Sequence, residues 1–111
     1  MLKWMEIVKE ITDIPLSYSE EPADEVVMEV ELDPREGWTK RHSFQNVAGV
    51  VRDLSIDTQD EIELMELSFQ LHEAMKEHTG GDLKKYTIRI DESGKATAKF
   101  EYHDPQPESL N

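Results

Sequence analysis

Length, composition and charge restrict what this chain can be. Its 111 residues suffice for one domain, and 25 acidic against 12 basic residues give a net charge of −13. Such a charge argues against binding to nucleic acid or anionic membrane and favours a basic partner, although plain solubility explains it equally well. The chain has no cysteine, which excludes disulfides and thiolate chemistry and fits a reducing cytoplasm. The first residues predict neither a signal peptide nor a membrane span.

The first segment predicts an amphipathic helix. Its apolar residues recur at helical spacing and share one face: Trp4, Ile7, Val8 and Ile11. We expect this helix to end at 13–15, because the residue before a proline disfavours the helical conformation. Residues 16–24 are then expected to form an acidic loop.

Two strands are predicted next. Residues 25–32 alternate apolar with mostly charged side chains, which is typical of a strand with one face on the core. Proline and glycine in 33–37 indicate a turn. Residues 38–44 predict the returning strand, and one side of it contains Trp38, Lys40, His42 and Phe44. Residues 46–54 fit a helix by the spacing of their valines and a strand by their composition, so both assignments stay open here.

The second half predicts a long helix followed by a β-hairpin. We expect the helix at 58–79, begun by a capping box of Thr58 and Glu61 and ended by Gly80-Gly81. Two alternating segments around the turn at 92–94 form the hairpin. The predicted fold class is therefore α+β, an antiparallel sheet of about four strands with two helices packed on one face. One domain is expected over 1–104 and a flexible tail over 105–111.

The long helix has two apolar stripes and an acidic sector on a helical wheel. The narrow stripe contains Ile62, Met65 and Phe69, and the broad stripe nearly opposite contains Leu64, Leu67, Leu71, Ala74 and Met75. Both are buried if the helix is sandwiched between the sheet and the other helix; otherwise one stripe meets a partner or a second copy of the chain. The acidic sector is either a solvated face or a partner-binding surface for Lys and Arg, with these candidates: Glu63, Glu66, Gln70, Glu73 and Glu77.

Patterns of catalytic and metal sites do not occur in the sequence. His72 and His78 lie six residues apart, so they diverge by about 120° on the helix and miss the four-residue spacing of a zinc-binding pair. Gly80-Gly81 follows a helix, where a phosphate-binding loop would precede one. We expect no metal, no cofactor and no enzymatic activity; a small enzyme with an unrecognised site is the weaker alternative. Trp4 and Trp38 are expected to anchor the core, or to form a binding hot spot if exposed.

Residues 60–104 resemble the C-terminal half of the YezG-like immunity proteins. The shared features are an acidic helix, a strand at Thr87-Ile88-Arg89-Ile90, a turn at Ser93-Gly94-Lys95 and a last strand with Phe100-Glu101-Tyr102. The resemblance implies an antitoxin that binds and blocks a cognate toxin, often a nuclease, without catalysis of its own. It assigns no individual binding residues. The alternative function is a homodimeric structural or assembly domain.

Overall fold

The computed structural model describes residues 2–19 and 23–103. Its elements are α1 (Lys3–Tyr18), β1 (Glu25–Asp33), β2 (Trp38–Val47), β3 (Val50–Asp53), α2 (Thr58–Thr79), β4 (Leu83–Asp91) and β5 (Ala96–Tyr102). The strands form one antiparallel sheet in the order β3-β2-β1-β4-β5. The predicted α+β class is confirmed, with five strands where about four were expected. The flexible tail predicted at 105–111 lies outside the described residues.

The extra strand comes from the ambiguous segment 46–54. Ala48 and Gly49 both have positive φ, 52° and 80°, as the tight turn of a two-residue hairpin requires. The chain therefore reverses there, and Val50 pairs with Val47 at the start of β3. The valines of this segment thus belong to strands.

Helix α1 runs past the end that was predicted from its proline. Pro15 lies inside the helix, which continues to Tyr18; the predicted end at 13–15 was wrong, and so was a loop over 16–18. An internal proline costs about 3 kcal/mol or more. Tertiary contacts offset this cost, because Ile14 and Pro15 are buried and the Tyr18 hydroxyl donates to Asp60 Oδ2 at 2.5 Å.

Helix α2 begins one residue earlier than the predicted capping box implies. Asp57 is the N-cap, and its carboxylate accepts a hydrogen bond from the Asp60 N–H at 2.9 Å. Glu61 is occupied elsewhere, since Arg41 donates to it at 2.5 Å. The C-terminal prediction is confirmed: Gly80 adopts φ 76° and its N–H donates to Lys76 O at 2.8 Å. Neither helix of the described chain is long and apolar enough to cross a membrane.

The core lies between the helices and one face of the sheet. Alternate residues of β1 and β4 are buried there: Val26, Met28, Val30, Leu32, Tyr86, Ile88 and Ile90. Trp4 packs against this core as predicted, with its ring 5.8 Å from the ring of Phe100. Trp38 does not, because it pairs with Asp33 on the opposite face and is 43% exposed. Its predicted role as a core anchor was wrong.

Candidate functional site

An acidic row runs along the outward side of α2. It consists of the predicted partner-binding residues, all five of which are exposed: Glu63, Glu66, Gln70, Glu73 and Glu77. The broad apolar stripe on the other side of the helix is buried against the core. At a rise of 1.5 Å per residue, the row is about 21 Å long. The structure therefore brings all five candidates together on one rigid surface.

The narrow apolar stripe borders this acidic row. Phe69 is partly buried and packs against the core, Met65 is half-buried, and Ile62 is 46% exposed. Most of the stripe is thus used in the fold, which favours the sandwiched-helix interpretation made from the sequence. Ile62 leaves an apolar contact point next to the carboxylates, and interfaces commonly combine such apolar contacts with a polar rim.

The carboxylates of the row are not neutralised within the described chain. Glu63, Glu66 and Glu77 form no ion pair with any residue in 2–19 or 23–103. Among the described residues, Glu73 comes within 4 Å of a group of potential positive charge only at His72, whose Nδ1 lies 3.8 Å from Glu73 Oε1. Like charges three or four residues apart on a helix destabilise it by about 0.2–0.5 kcal/mol per pair. The row therefore costs helix stability instead of adding to it.

Helix α1 adds further carboxylates to the outward side of the helical layer. Glu6, Glu10 and Asp13 follow at helical spacing and are all exposed. Because α1 packs beside α2, the negative potential extends beyond the row to the neighbouring helix. A partner with clustered Lys and Arg would meet an acidic surface wider than α2 alone.

The opposite face of the sheet carries mixed charges that balance one another. One cross-strand line reads Lys40, Glu31, Lys85, Glu101 across β2, β1, β4 and β5. An open depression of about 570 Å³ lies beside this line, and Lys85, Arg89 and Lys99 line it together with Glu29 and Glu101. Opposite charges on paired strands stabilise each other. This face consequently lacks the one-sided charge of the helical layer.

Sequence reasoning weighed His72 only as a metal ligand and did not predict that it is buried near the end of α2. His72 Nε2 lies 2.8 Å from Asp82 Oδ1, and Arg35 donates to Asp82 Oδ2 at 2.9 Å. The hydrogen bond from His72, with a smaller contribution from Arg35, holds the pKa of Asp82 below its usual range. The signal was present in the wheel, since at about 100° per residue His72 falls between the two apolar stripes, next to Met75 of one and Met65 of the other.

This histidine–aspartate pair has the geometry of a structural link. Nε2 is occupied by Asp82, and Nδ1 is buried without a hydrogen-bond partner among the described residues. A general base must reach the proton that it removes, and neither ring nitrogen is open to do so. Within residues 2–19 and 23–103, no group of three or more His, Asp or Glu side chains is arranged to hold a metal ion.

The sequence has no significant match to models of protein families or to curated proteins. The resemblance to the YezG-like immunity proteins stays a prediction that depends on residues 60–104.

Proposed function

We propose that this protein is a non-enzymatic binding protein that uses the acidic row of α2 to neutralise a basic toxin such as a nuclease. The observation that supports this most is the set of exposed carboxylates without ion-pair partners in the described chain: Glu63, Glu66 and Glu77. Nucleases hold phosphates with Lys and Arg. A row of carboxylates offers these Lys and Arg residues negative charge, as phosphate groups do. When bound there, the row blocks the substrate from the nuclease site.

The row is rigid enough to recognise a partner without first being ordered. Asp57 and Gly80 cap the two ends of α2, and Leu64, Leu71 and Met75 fix its inner side in the core. Binding by a preorganised surface avoids part of the entropy cost of association. Electrostatic complementarity then raises the association rate, most strongly at low salt.

The first experiment identifies the partner and its salt dependence. The purified full chain is used as bait in lysate of the source cells, and the captured proteins are identified at low and high salt. The expected result is one stoichiometric basic protein that is weakened by salt. Inhibition of that protein's own activity by the purified chain then supports the toxin part of the proposal. A basic partner that binds and keeps full activity would retain the binding function and remove the antitoxin function.

The second experiment tests the acidic row itself. Four glutamates are changed together to glutamine: Glu63, Glu66, Glu73 and Glu77. We expect the association rate constant to fall at least about tenfold at low salt and less at high salt, because screening already weakens the attraction there.

A matched control removes an equal number of negative charges from the sheet face and its turns, by changing four other glutamates to glutamine: Glu29, Glu31, Glu36 and Glu92. The association rate constant of this control should fall much less, because the charges that it removes lie away from the proposed interface. Equal rates for the two variants would exclude α2 from the interface while leaving a basic partner possible.

A further inference from the structure

Strand β5 forms an open margin of the sheet. It is the last strand in the order β3-β2-β1-β4-β5, and no other strand of residues 23–103 lies beyond it. Natural proteins commonly block such an edge with proline, a bulge, charged side chains or a covering element. The charged side chains of β5 are Lys99 and Glu101. β5 contains no proline, and the irregularity in its pairing lies at the far end, between Leu83 and Lys85 of β4.

The backbone groups that face away from the sheet can be assigned. The Asp91 N–H donates to Lys95 O at 3.0 Å, and the His103 N–H donates to Asp82 O at 2.9 Å. Odd-numbered residues of this segment therefore point towards β4. Because the direction alternates along an antiparallel strand, the outward N–H and C=O groups belong to Ala96, Ala98, Phe100 and Tyr102.

An apolar groove runs beside this margin, between α1 and β5. Its volume is about 260 Å³, and its lining includes Trp4, Met5, Val8 and Ala96. The small side chain of Ala96 leaves the space open. Met5 is 43% exposed on this flank of α1. The groove and the strand edge together form one surface with apolar side chains and with backbone groups that no strand of the described residues pairs.

We propose that this surface binds a second copy of the chain. The two β5 strands pair antiparallel about a two-fold axis at Ala98, and the sheets of the two copies become continuous. In this register Ala98 faces Ala98 of the second copy, and Ala96 faces its Phe100. Each such outward pair exchanges two backbone hydrogen bonds.

Charge complementarity selects this register. With the axis at Ala98, Lys95 of each copy lies opposite Glu101 of the other. An axis at Lys99 would place the two Lys99 side chains opposite each other, and an axis at Thr97 would place Lys95 opposite Lys99. Like charges directly opposite destabilise a strand pair. The order of charges therefore disfavours both neighbouring registers relative to an axis at Ala98.

The groove beside Ala96 favours Ala98 over the next permitted axis. An axis at Phe100 also pairs Lys99 with Glu101, but it leaves Ala96 without a partner in β5 and its groove uncovered. With the axis at Ala98, residues 96–100 pair within β5, and Ala96 has a partner. The Phe100 ring of the second copy is then brought next to Ala96, where the small side chain leaves room for it, and apolar surface of α1 is removed from water.

The oligomeric state of the full chain is the first test. Sedimentation velocity over a range of concentrations should show a reversible dimer. Ala98→Pro removes an outward N–H that β4 does not use, so it should raise the dimer dissociation constant more than about tenfold.

The matched control for this substitution lies on the other sheet margin. In β3 the Leu54 N–H donates to Ser43 O, so Val51 has its N–H pointing outward in the same way. Val51→Pro should leave the dimer unchanged. A wild-type monomer at every usable concentration, or equal effects of the two prolines, would overturn the proposal.

Cysteine crosslinking tests the register without disturbing the fold. The chain has no native cysteine. Ala98→Cys places two thiols at the axis, with Cα atoms about 5.5 Å apart, within the range of a disulfide. Mild oxidation should give a covalent dimer for Ala98→Cys and a monomer for Ala96→Cys. A covalent dimer for Ala96→Cys alone would overturn the register.

Charge reversal gives an independent check should the proline variant fold poorly. Lys95→Glu should weaken the dimer, and adding Glu101→Lys should restore it, because the pair across the axis is then reversed. The absence of any restoration would count against the assigned pairing.

The interface does not involve the acidic row, so Ala98→Pro should bind a basic partner normally. Loss of the dimer and loss of partner binding are thus separate outcomes.

Discussion

His72 and Asp82 join α2 to the beginning of β4 through a bond of 2.8 Å between Nε2 and Oδ1. A carboxylate can only accept, so Nε2 carries the proton in this pair. Nδ1 is then an acceptor, and no donor of the described residues reaches it in its buried position. The pair fixes the C-terminal part of the helix that carries Glu73 and Glu77.

The first prediction concerns the pH dependence of this link. The pKa of Asp82 is lowered in the folded state, first by the hydrogen bond from His72. A depressed folded pKa means that the carboxylate stabilises the fold above its unfolded pKa of about 3.9, and that this stabilisation is lost as pH falls through the folded value. Asp82→Asn should therefore lower the free energy of unfolding at pH 7, and its deficit should shrink below about pH 4.

Urea denaturation at several pH values measures this difference. Asp53→Asn is a suitable control, because the side chain of Asp53 is 87% exposed and lies 3.9 Å from that of His42. Exposed pairs of this kind contribute little. A deficit for Asp82→Asn that stays constant from pH 7 to pH 3 would show that the carboxylate charge is unimportant.

The second prediction follows from two buried hydroxyls between α2 and β4. Ser68 Oγ donates to Leu64 O at 2.7 Å, so its only proton is used, and Tyr86 must donate in the 2.7 Å contact between the two hydroxyls. Both residues are 0% exposed. Ser68→Ala should cost about 1–3 kcal/mol, because the buried Tyr86 hydroxyl loses its acceptor.

Tyr86→Phe should cost less, about 0.5–1.5 kcal/mol, because Ser68 keeps its bond to Leu64. Chemical denaturation of the two variants gives the comparison. A larger loss for Tyr86→Phe than for Ser68→Ala would mean that the donor has been assigned to the wrong hydroxyl.

The third prediction separates two possible caps of α2. Asp57→Ala should destabilise the protein by about 1 kcal/mol, because the Asp60 N–H loses its acceptor. Thr58→Ala, next to it, should be close to neutral, since Thr58 lies within the helix. Thermal or urea unfolding distinguishes them. A larger effect at Thr58 would restore the capping box predicted from the sequence.

Local patterns in the sequence predicted most of the architecture. The alternation in 25–32 and the wheel of 58–79 each define a buried side, because a core imposes the same periodicity on the chain that folds around it. The failures have another origin. Pro15 is kept helical by contacts distant in sequence, such as that between Tyr18 and Asp60, and no local pattern contains them.

The candidate site was only partly accessible to sequence reasoning. The wheel placed the acidic row correctly on one side of α2, because exposure on a helix follows from spacing. It did not place His72 beside Asp82 and Arg35, since that cluster also requires the turn between β1 and β2 to reach the end of α2. Trp38 was misplaced for a similar reason: which face of the sheet the helices cover depends on the whole topology.

The last prediction is that the acidic row lowers the stability of the folded protein. Glu77 lies in the last turn of α2, where the helix dipole disfavours negative charge, and Glu73 is four residues before it. Glu77→Lys should therefore raise the free energy of unfolding by about 0.3–1 kcal/mol at low salt, with a smaller gain at high salt. Glu92→Lys, in the exposed β4–β5 turn, is the control for a general change in net charge. If Glu77→Lys is no more stable than Glu92→Lys, the acidic row does not lower the stability of the fold. If Glu77→Lys is more stable but binds a basic partner less well, the carboxylates of the row are retained for recognition at the expense of stability.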